Sequence, residues 1–443
     1  MPRDQRPFDV TNRSVLALAI PMTLAYLSTP ILGVVDTAVI GQLGSAALVG
    51  GIAVGGIIFD LGFTTFNFLR SGTTGMTAQA MGSGEHREVR AVLLRALIIA
   101  FAAGLAMIVL QWPIREIGIA LLGGSDEVQA ATRTYFTWRI YSAPFALANY
   151  AVLGWLLGQG RAGTGLFLQT FLNGVNIALS VYFVMGLGWG VSGVALSTLM
   201  AEAFTSATGG LIVWRSFAGK RPPSLQRVFN AKRFAKMAGV NRDIMIRSFT
   251  LLFAFAFFTA RGAAQGDVTL AANSILEKLF MVASYFLDGF ASAAEQIVGR
   301  SLGARYRPAY DRAVRLTMLW GFGLAGTAAC IFWFGGPWLI DFMTTSTPVR
   351  DEARVFLVWA ALTPLFGVMA FQMDGVFIGA TWSRDMRNMM LLSLALYLAA
   401  YAVLFPAFGN HGLWLSLEIF LGVRGISLGF MSRIRARETF GTA

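Results

Sequence analysis

The sequence predicts an all-α integral membrane protein with twelve transmembrane helices. We expect these helices to form two six-helix lobes related by a pseudo-two-fold axis along the membrane normal. Three observations predict this fold class: the composition, an internal repeat and the placement of the basic residues. Hydrophobic residues make up 56% of the chain and charged residues only 13%. Because soluble domains carry about 25% charged residues, most of this chain cannot face water.

Apolar stretches long enough, or nearly so, to cross about 30 Å of hydrocarbon recur along the whole chain. The first follows Arg3, Arg6 and Arg13 and lacks a small-residue cleavage site, so we interpret it as a spanning helix and not as a signal peptide. The predicted spans lie, in order, near residues 14–40, 46–80, 92–111, 131–158, 165–187, 191–214, 243–264, 269–301, 312–335, 354–380, 387–408 and 411–431.

The second half of the chain repeats the first loosely, about 221 positions later. Trp138 corresponds to Trp359, and the glycines of GWLLG (154–158) correspond to those of GVFIG (375–379). Six spans fall in each half, so the two halves insert into the membrane with the same orientation. Their symmetry axis is therefore expected along the membrane normal, with a central cleft between the lobes.

A single long polar stretch divides the two repeats. It covers residues 217–241 and contains Pro222 and Pro223. We therefore expect an N-terminal lobe over 1–216, a cytosolic linker over 217–241 and a C-terminal lobe over 242–443.

The net charge of +12 follows the membrane topology and does not indicate a nucleic-acid partner. With both termini in the cytosol, the cytosolic segments hold 27 of the 35 Lys and Arg residues, and the external segments hold five. This asymmetry is the positive-inside rule, and it predicts the orientation of the chain.

Asp36 in the first span is an ionisable residue at membrane depth, and such residues are costly enough to be functional hypotheses by default. Pro21 and Pro30 lie upstream on the same helix. Pro30 cannot donate to the carbonyl of Tyr26, which favours a kink. A bendable helix with one carboxylate suits a proton-operated gate. The alternative is that Asp36 caps the helix or bonds a neighbour, and that the prolines shape a static helix.

The fifth span carries a polar face. Gln169, Asn173, Asn176 and Ser180 follow one another at steps of four, three and four residues, which places them on one side of a helix. This face could hydrogen-bond Asp36 or complete an oxygen cage for a cation. Interhelical hydrogen bonding, which is common in membrane bundles, is the alternative.

The eighth span carries three acids, Glu277, Asp288 and Glu295, on one polar face, and Asp374 adds another in the tenth span. Three acids on one face of a membrane helix are hard to explain as packing. Glu295 lies near the cytosolic end, where a solvated role is an equal alternative. Lys278 follows Glu277 but falls off this face.

Several chemistries are missing from the sequence. It contains no GxxxxGK[ST] phosphate-binding loop and no HExxH, and its only histidines are His86 and His411. We therefore expect a protein that is not an enzyme, with no metal site and no cofactor. Transport would have to use an ion gradient, with a proton, or alternatively sodium, as the coupling ion.

Eight motifs together resemble the multidrug and toxic compound extrusion (MATE) family, in its DinF-like branch, over nearly the whole chain. The motifs are VDTAVIGQLGS (35–45), LRSGTTGMTAQAMGSG (69–84), GWLLG (154–158), VMGLGWGVSGVALST (184–198), NRDIMIRS (241–248), DGFASAAE (288–295), MDGVFIGAT (373–381) and MRN (386–388). The resemblance implies twelve helices in two lobes and the export of organic, often cationic compounds in exchange for protons or sodium.

The resemblance also assigns roles to individual residues. Asp36 matches the acid of the family's first helix, Pro21 the proline whose bending is coupled to it, and Asn176 the amide of the fifth helix. Many members carry a second acid one turn further along, where this chain has Ser180. This departure favours proton coupling over a sodium site.

The sequence thus predicts a proton-coupled antiporter of the bacterial inner membrane, with both termini cytoplasmic, that exports amphipathic, cationic organic compounds. Its expected partners are small-molecule substrates and membrane lipids, without nucleic acid, and it is expected to be a monomer. The alternatives are a sodium-coupled exporter, a flippase for lipid-linked precursors, an intramembrane enzyme and a passive channel.

Overall fold

The computed structural model describes residues 7–42 and 44–441, apart from the side chains of Ile31, Gly33, Val34, Asp36 and Thr37. Within these residues the secondary structure is helical and no strand is present. The α-helices are α1 (Asn12–Gly41), α2 (Ala46–Thr65), α3 (Phe68–Gly82), α4 (His86–Val109), α5 (Gln111–Leu122), α6 (Asp126–Arg139), α7 (Ala143–Gly158), α8 (Ala162–Val181), α9 (Gly190–Phe217), α10 (Leu225–Val228), α11 (Ala231–Ala263), α12 (Asp267–Gly303), α13 (Arg307–Met343), α14 (Thr347–Ala380), α15 (Ser383–Phe408) and α16 (Asn410–Phe440).

Eleven helical stretches of the described residues are long and apolar enough to cross a membrane. They follow the predicted order from the second span to the twelfth. The first predicted span is α1, a helix of 30 residues.

Two predicted spans are interrupted. The second consists of α2 and α3, separated at Phe66 and Asn67, whose amides bond the carbonyls three residues back at 3.0 and 3.2 Å. The fourth consists of α6 and α7, joined by one 3₁₀ turn over Ile140–Ser142. Pro144 follows this turn, and its missing N–H explains why the α-helical ladder changes there.

The sequence analysis missed α5, which occupies a segment interpreted as an external loop. Its 12 residues are about 18 Å long, too short to span the membrane. Trp112 and Leu121 are nevertheless 66% and 80% exposed. A short helix with exposed apolar residues indicates a segment lying in the membrane interface.

The described residues divide into two compact units. One comprises Met1–Thr23, Met81–Gly84 and Gly239–Ala443, and the other comprises Leu24–Ala80 and Glu85–Ala238. The division therefore cuts α1 between Thr23 and Leu24, whereas the sequence analysis placed all of α1 in the N-terminal lobe.

Direct contacts explain why the beginning of α1 belongs with the C-terminal helices. Gly289 of α12 lies against the carbonyl of Ala19 and the side chain of Thr23, where a Cβ atom would not fit. Trp320 Nε1 of α13 donates to Asn12 Oδ1 at 3.1 Å. These contacts hold the first three turns of α1 against α12 and α13.

The repeat seen in the sequence recurs as the same close helix approach inside each unit. Gly154 of α7 lies against the carbonyl of Arg70, and Gly375 of α14 lies against the carbonyl of Ala291. One turn later, Gly158 and Gly379 lie against the carbonyls of Thr74 and Glu295. All four contacts are with backbone, so only glycine allows this spacing.

The predicted linker is more ordered than its composition indicated. It contains α10, and α11 already begins at Ala231, ten residues before the predicted end of the linker. Arg95 of α4 donates to the carbonyl of Val228 at 3.1 Å, and Arg90 donates to that of Arg221 at 2.9 Å. These bonds fix the segment to α4.

Candidate functional site

The polar face of α8 is buried as the sequence predicted. Asn173, Asn176 and Ser180 are 6%, 3% and 0% exposed. Asn173 Nδ2 donates to Ser28 Oγ of α1 at 2.8 Å. Gln169 Nε2 donates to Asn173 Oδ1 at 3.3 Å, which extends the same network along α8.

One turn further along, the network reaches α9. Asn176 Nδ2 donates to Thr198 Oγ1 at 3.2 Å, and Ser180 Oγ donates to Asn176 Oδ1 at 3.2 Å. The hydroxyls of Ser180 and Ser197 lie 2.6 Å apart. We call the residues Ser28, Asn173, Asn176, Ser180, Ser197 and Thr198 the α8 network. Ser197 and Thr198 were missed as site residues, although the VSGVALST motif contains both.

The side chain of Asp36 lies outside the described residues, so its bond to the α8 network remains a prediction. The backbone of α1 is helical through Asp36. Ser28 precedes Asp36 by eight residues, or about 12 Å of helix. The bond between Ser28 and Asn173 therefore fixes α1 to α8 two turns before the carboxylate.

The two prolines of α1 flank the boundary between the compact units. Pro21 belongs to the unit that contains the C-terminal helices, and Pro30 belongs to the unit that contains α8. The helix is continuous through both prolines. Their predicted role as hinges remains a prediction, but they stand on either side of the point where α1 passes from one unit to the other.

Asp374 of α14 is not a free acid. It is 5% exposed, and its Oδ2 atom accepts hydrogen bonds from Arg247 of α11 and Arg424 of α16. The sequence analysis did not identify either arginine as a partner of Asp374. The side chain of Arg424 is in fact 2% exposed and that of Arg247 is 16% exposed, because they neutralise a buried carboxylate.

A cavity of about 500 Å³ lies next to this ion triad, between α11, α12, α14 and α16. We call it the C-lobe cavity. Its wall is largely apolar and aromatic, and the residues that form this part are Leu251, Phe255, Phe280, Met281, Phe371 and Leu421. Its polar residues are Ser274, Glu277, Lys278, Ser284, Asp288 and Arg424.

The structure revises the predicted acidic stripe of α12. Glu277 and Asp288 line the C-lobe cavity, but Lys278 and Arg424 line it too, so its carboxylates are matched by equal numbers of cations. Lys278, which the sequence places off the acidic face, also lines this cavity. Glu295 is 3% exposed, which excludes the solvated alternative.

Each unit holds a further carboxylate that is bonded to a neutral donor. In α9, Glu202 Oε2 accepts from Asn149 Nδ2 of α7 at 2.7 Å. In α16, Glu418 Oε1 accepts from Thr363 Oγ1 of α14 at 2.5 Å, and the residue is 1% exposed. The partners of both acids come from other helices, so the sequence alone does not identify them.

No group of three or more His, Cys, Asp or Glu side chains that could hold a metal ion occurs among the described residues. The described residues thus form a hydrogen-bonded polar network in one unit and an amphipathic cavity in the other.

Comparison with known proteins identifies the family. The family model described as MatE matches residues 21–204 and 237–404. The chain belongs to this family. It is a multi-pass membrane transporter and not an enzyme, as predicted.

The family assignment agrees with individual relatives. The chain is 37% identical to "DNA damage-inducible protein F" of Escherichia coli over 425 residues, 96% of this chain and 92% of that protein. It is 25% identical to "Probable multidrug resistance protein NorM" of Caulobacter vibrioides, over 96% of this chain and 89% of that protein.

A solved structure described as MATE in the bent conformation shares the fold. Its TM-score is 0.89 at 17% identity, and the match covers 96% of each chain. The predicted all-α fold of twelve transmembrane helices in two lobes is thereby confirmed.

Proposed function

We propose that this protein is a proton-driven antiporter that exports amphipathic, preferentially cationic compounds across the inner membrane. The name of one relative, "Probable multidrug resistance protein NorM" of Caulobacter vibrioides, supports an efflux role. The asymmetry of Lys and Arg supports cytoplasmic termini. The chemistry of the α8 network favours a proton over sodium as the coupling ion.

The described residues of the α8 network provide only amide and hydroxyl groups. A binding site for a cation usually adds carboxylate oxygens to such neutral ligands. The family resemblance places Ser180 where many members carry a second acid, so in this proposal the network relies on Asp36 for its charge. One carboxylate beside neutral donors can bind a proton, but it provides too few charged oxygen ligands to bind a sodium ion tightly.

Protonation of Asp36 changes which arrangement of α1 is favoured. The ionised carboxylate attracts both a cationic substrate and the hydrogen-bond donors of α8. The protonated form releases the substrate, which would occur on the outer side, where protons are more abundant. Since each state prefers a different conformation of α1, proton binding shifts a two-state equilibrium. Bending between Pro21 and Pro30 would transmit this shift along α1.

The C-lobe cavity is the proposed site for the apolar body of the substrate. Its volume of about 500 Å³ suits a drug-sized molecule. Aromatic and thioether walls adapt to varied ligands, which supports broad specificity. Glu277 and Asp288 offer partners for a cationic group. The balancing charges of Lys278 and Arg424 weaken the attraction of the cavity for cations, so a bound cation can still be released.

Proteoliposomes with imposed gradients test the coupling ion. A pH gradient alone should drive uptake of a fluorescent organic cation, and a sodium gradient at equal pH should not. Transport driven by sodium without a pH gradient would overturn proton coupling.

The variant Asp36→Asn should abolish transport while its thermal unfolding stays that of the wild type. Asp60→Asn is a matched control, because Asp60 is an exposed acid of α2 outside the α8 network. Normal efflux by Asp36→Asn would refute the assignment of Asp36 as the proton carrier.

A further inference from the structure

A second cavity, of about 380 Å³, lies where α13 begins and α16 ends, and α14 forms its floor. We call it the basic groove. The residues that define it are Arg307 and Arg315 of α13, Arg433 and Arg437 of α16, and Met369 and Met373 of α14. From these residues we infer that the basic groove binds the phosphate headgroup of an anionic phospholipid, with cardiolipin as the best match.

The charge of the groove is strongly unbalanced. Asp311 is its one carboxylate, and it pairs with Arg307 at 3.5 Å. Among the described residues, Arg315, Arg433 and Arg437 make no ion pair with any acidic side chain. Three like charges that converge on one concave site repel one another unless an anion enters.

Neighbouring arginines show that partners are available at this end of the same unit. Arg435, also in α16, binds both oxygens of Asp385 at 2.7 and 2.8 Å and pairs with Glu438 as well. Arg387 binds Asp243 at 2.7 Å. Arg435 and Arg387 thus have acidic partners, whereas Arg315, Arg433 and Arg437 of the groove have none among the described residues.

The spacing of the arginines suits a phosphate. Arg433 and Arg437 are one helical turn apart on the same side of α16, and Arg307 and Arg315 are two turns apart on α13. Guanidinium groups bind phosphate oxygens through paired hydrogen bonds, so the three unpaired arginines, Arg315 on α13 and Arg433 and Arg437 on α16, can bind a phosphate from each side of the groove. This is why a diphosphate lipid fits better than a lipid with one phosphate.

The apolar surroundings favour a lipid over a soluble phosphate. Methionines form the floor of the groove. Towards the middle of the same helices, Leu319, Ile426 and Phe430 are 66%, 67% and 66% exposed, so the helix surfaces continue as membrane-facing surface. A headgroup in the groove would therefore leave its acyl chains against apolar side chains. Basic pockets between helices on the cytoplasmic side are known to take such headgroups.

The test is binding of defined lipids to the full-length protein after delipidation in detergent. Fluorescent cardiolipin should bind with an affinity that falls at least tenfold in the variant Arg315→Gln/Arg433→Gln/Arg437→Gln. The control Arg87→Gln/Arg312→Gln/Arg384→Gln removes the same charge from exposed arginines outside the groove, and it should stay within twofold of the wild type. Equal losses in both variants would overturn the site, since binding would then follow net charge alone.

Competition separates a lipid site from a phosphate site. Unlabelled cardiolipin should displace the probe, phosphatidylglycerol should do so more weakly, and phosphatidylcholine or 10 mM inorganic phosphate should not. Displacement by inorganic phosphate at that concentration would reduce the groove to a site for free phosphate. If the groove variant unfolds, the lysine variant at the same positions replaces it. Lysine keeps the charge but lacks the paired donors, so wild-type affinity in that variant would refute paired recognition.

Discussion

Replacing Asp374 by asparagine should destabilise the protein strongly, because it strips the counter-charge from two arginines at once. In the native protein both Arg247 and Arg424 donate to Asp374 Oδ2, and the side chain of Arg424 is 2% exposed. Removing one partner of a buried ion pair costs about 3–5 kcal/mol. Asparagine can still accept one hydrogen bond, so we expect about 3 kcal/mol, a large share of the ~5–15 kcal/mol typical of folded proteins.

Two further variants calibrate this magnitude. Arg247→Met leaves Asp374 paired with Arg424, so its cost should be that of one charged hydrogen bond, about 1.5–3 kcal/mol. The triple variant Asp374→Leu/Arg247→Met/Arg424→Met removes every charge and should recover most of the loss, since apolar replacements of buried ion groups are often neutral.

The assay is unfolding in detergent micelles followed by tryptophan fluorescence, with transport measured on the same samples. Asp374→Asn should unfold earlier than the wild type, whereas Asp36→Asn should not. If Asp374→Asn keeps wild-type stability but loses transport, the carboxylate acts in coupling, and the proposed structural role of the ion triad is wrong.

Three other perturbations test separate parts of the structure. Glu277→Gln should raise the KM for a cationic substrate about threefold to tenfold, and Lys278→Gln should lower it, as expected from about 1 kcal/mol of Coulomb energy. The KM for a neutral substrate should change in neither variant. Equal changes for cationic and neutral substrates would contradict an electrostatic role of these two residues. Gly375→Ala forces a Cβ against the carbonyl of Ala291 and should cost about 1–3 kcal/mol of unfolding free energy, whereas Gly335→Ala, with open space around it, should cost nothing. Arg133 and Arg115 hold the pKa of Glu116 below its usual 4.5, so its small stabilising contribution is complete above that value and is lost as the pH falls through the lowered pKa. Thermal unfolding of wild type and Glu116→Gln should therefore differ at pH 7 and converge in acid, and a constant difference would refute the pairing.

The sequence predicted the order of the spans because hydropathy is a local property that each segment carries alone. It missed α5, whose Pro113, Arg115 and Glu116 look like a loop in a hydropathy profile. Those charges instead pair with each other and with α6 at the membrane interface, where Glu116 binds Arg133 at 3.0 Å. It also missed the interruption at Phe66 and Asn67, since that turn has no proline to signal it.

The sequence places polar residues together when they share one helix, as in α8. It does not identify contacts between residues of different helices. The spacing of Asn173, Asn176 and Ser180 was sufficient to place them on one buried face. The partners of Asp374 were not readable, because Arg247 lies 127 residues before it and Arg424 lies 50 residues after it. Periodicity carries no information about such pairs.

The repeat explains which features the two units share and which they do not. A glycine contact depends on backbone alone, so both copies keep it: Gly154 and Gly158 in one unit, Gly375 and Gly379 in the other. Charges depend on partners from other helices, and these partners differ between the copies. One unit places neutral amides and hydroxyls around α8, while the other surrounds Asp374 with arginines. If Asp36 bonds the α8 network as proposed, a proton on Asp36 meets only neutral groups of that network. The same proton near the ion triad would meet two cations that oppose it, so coupling is expected to reside in the unit with the α8 network.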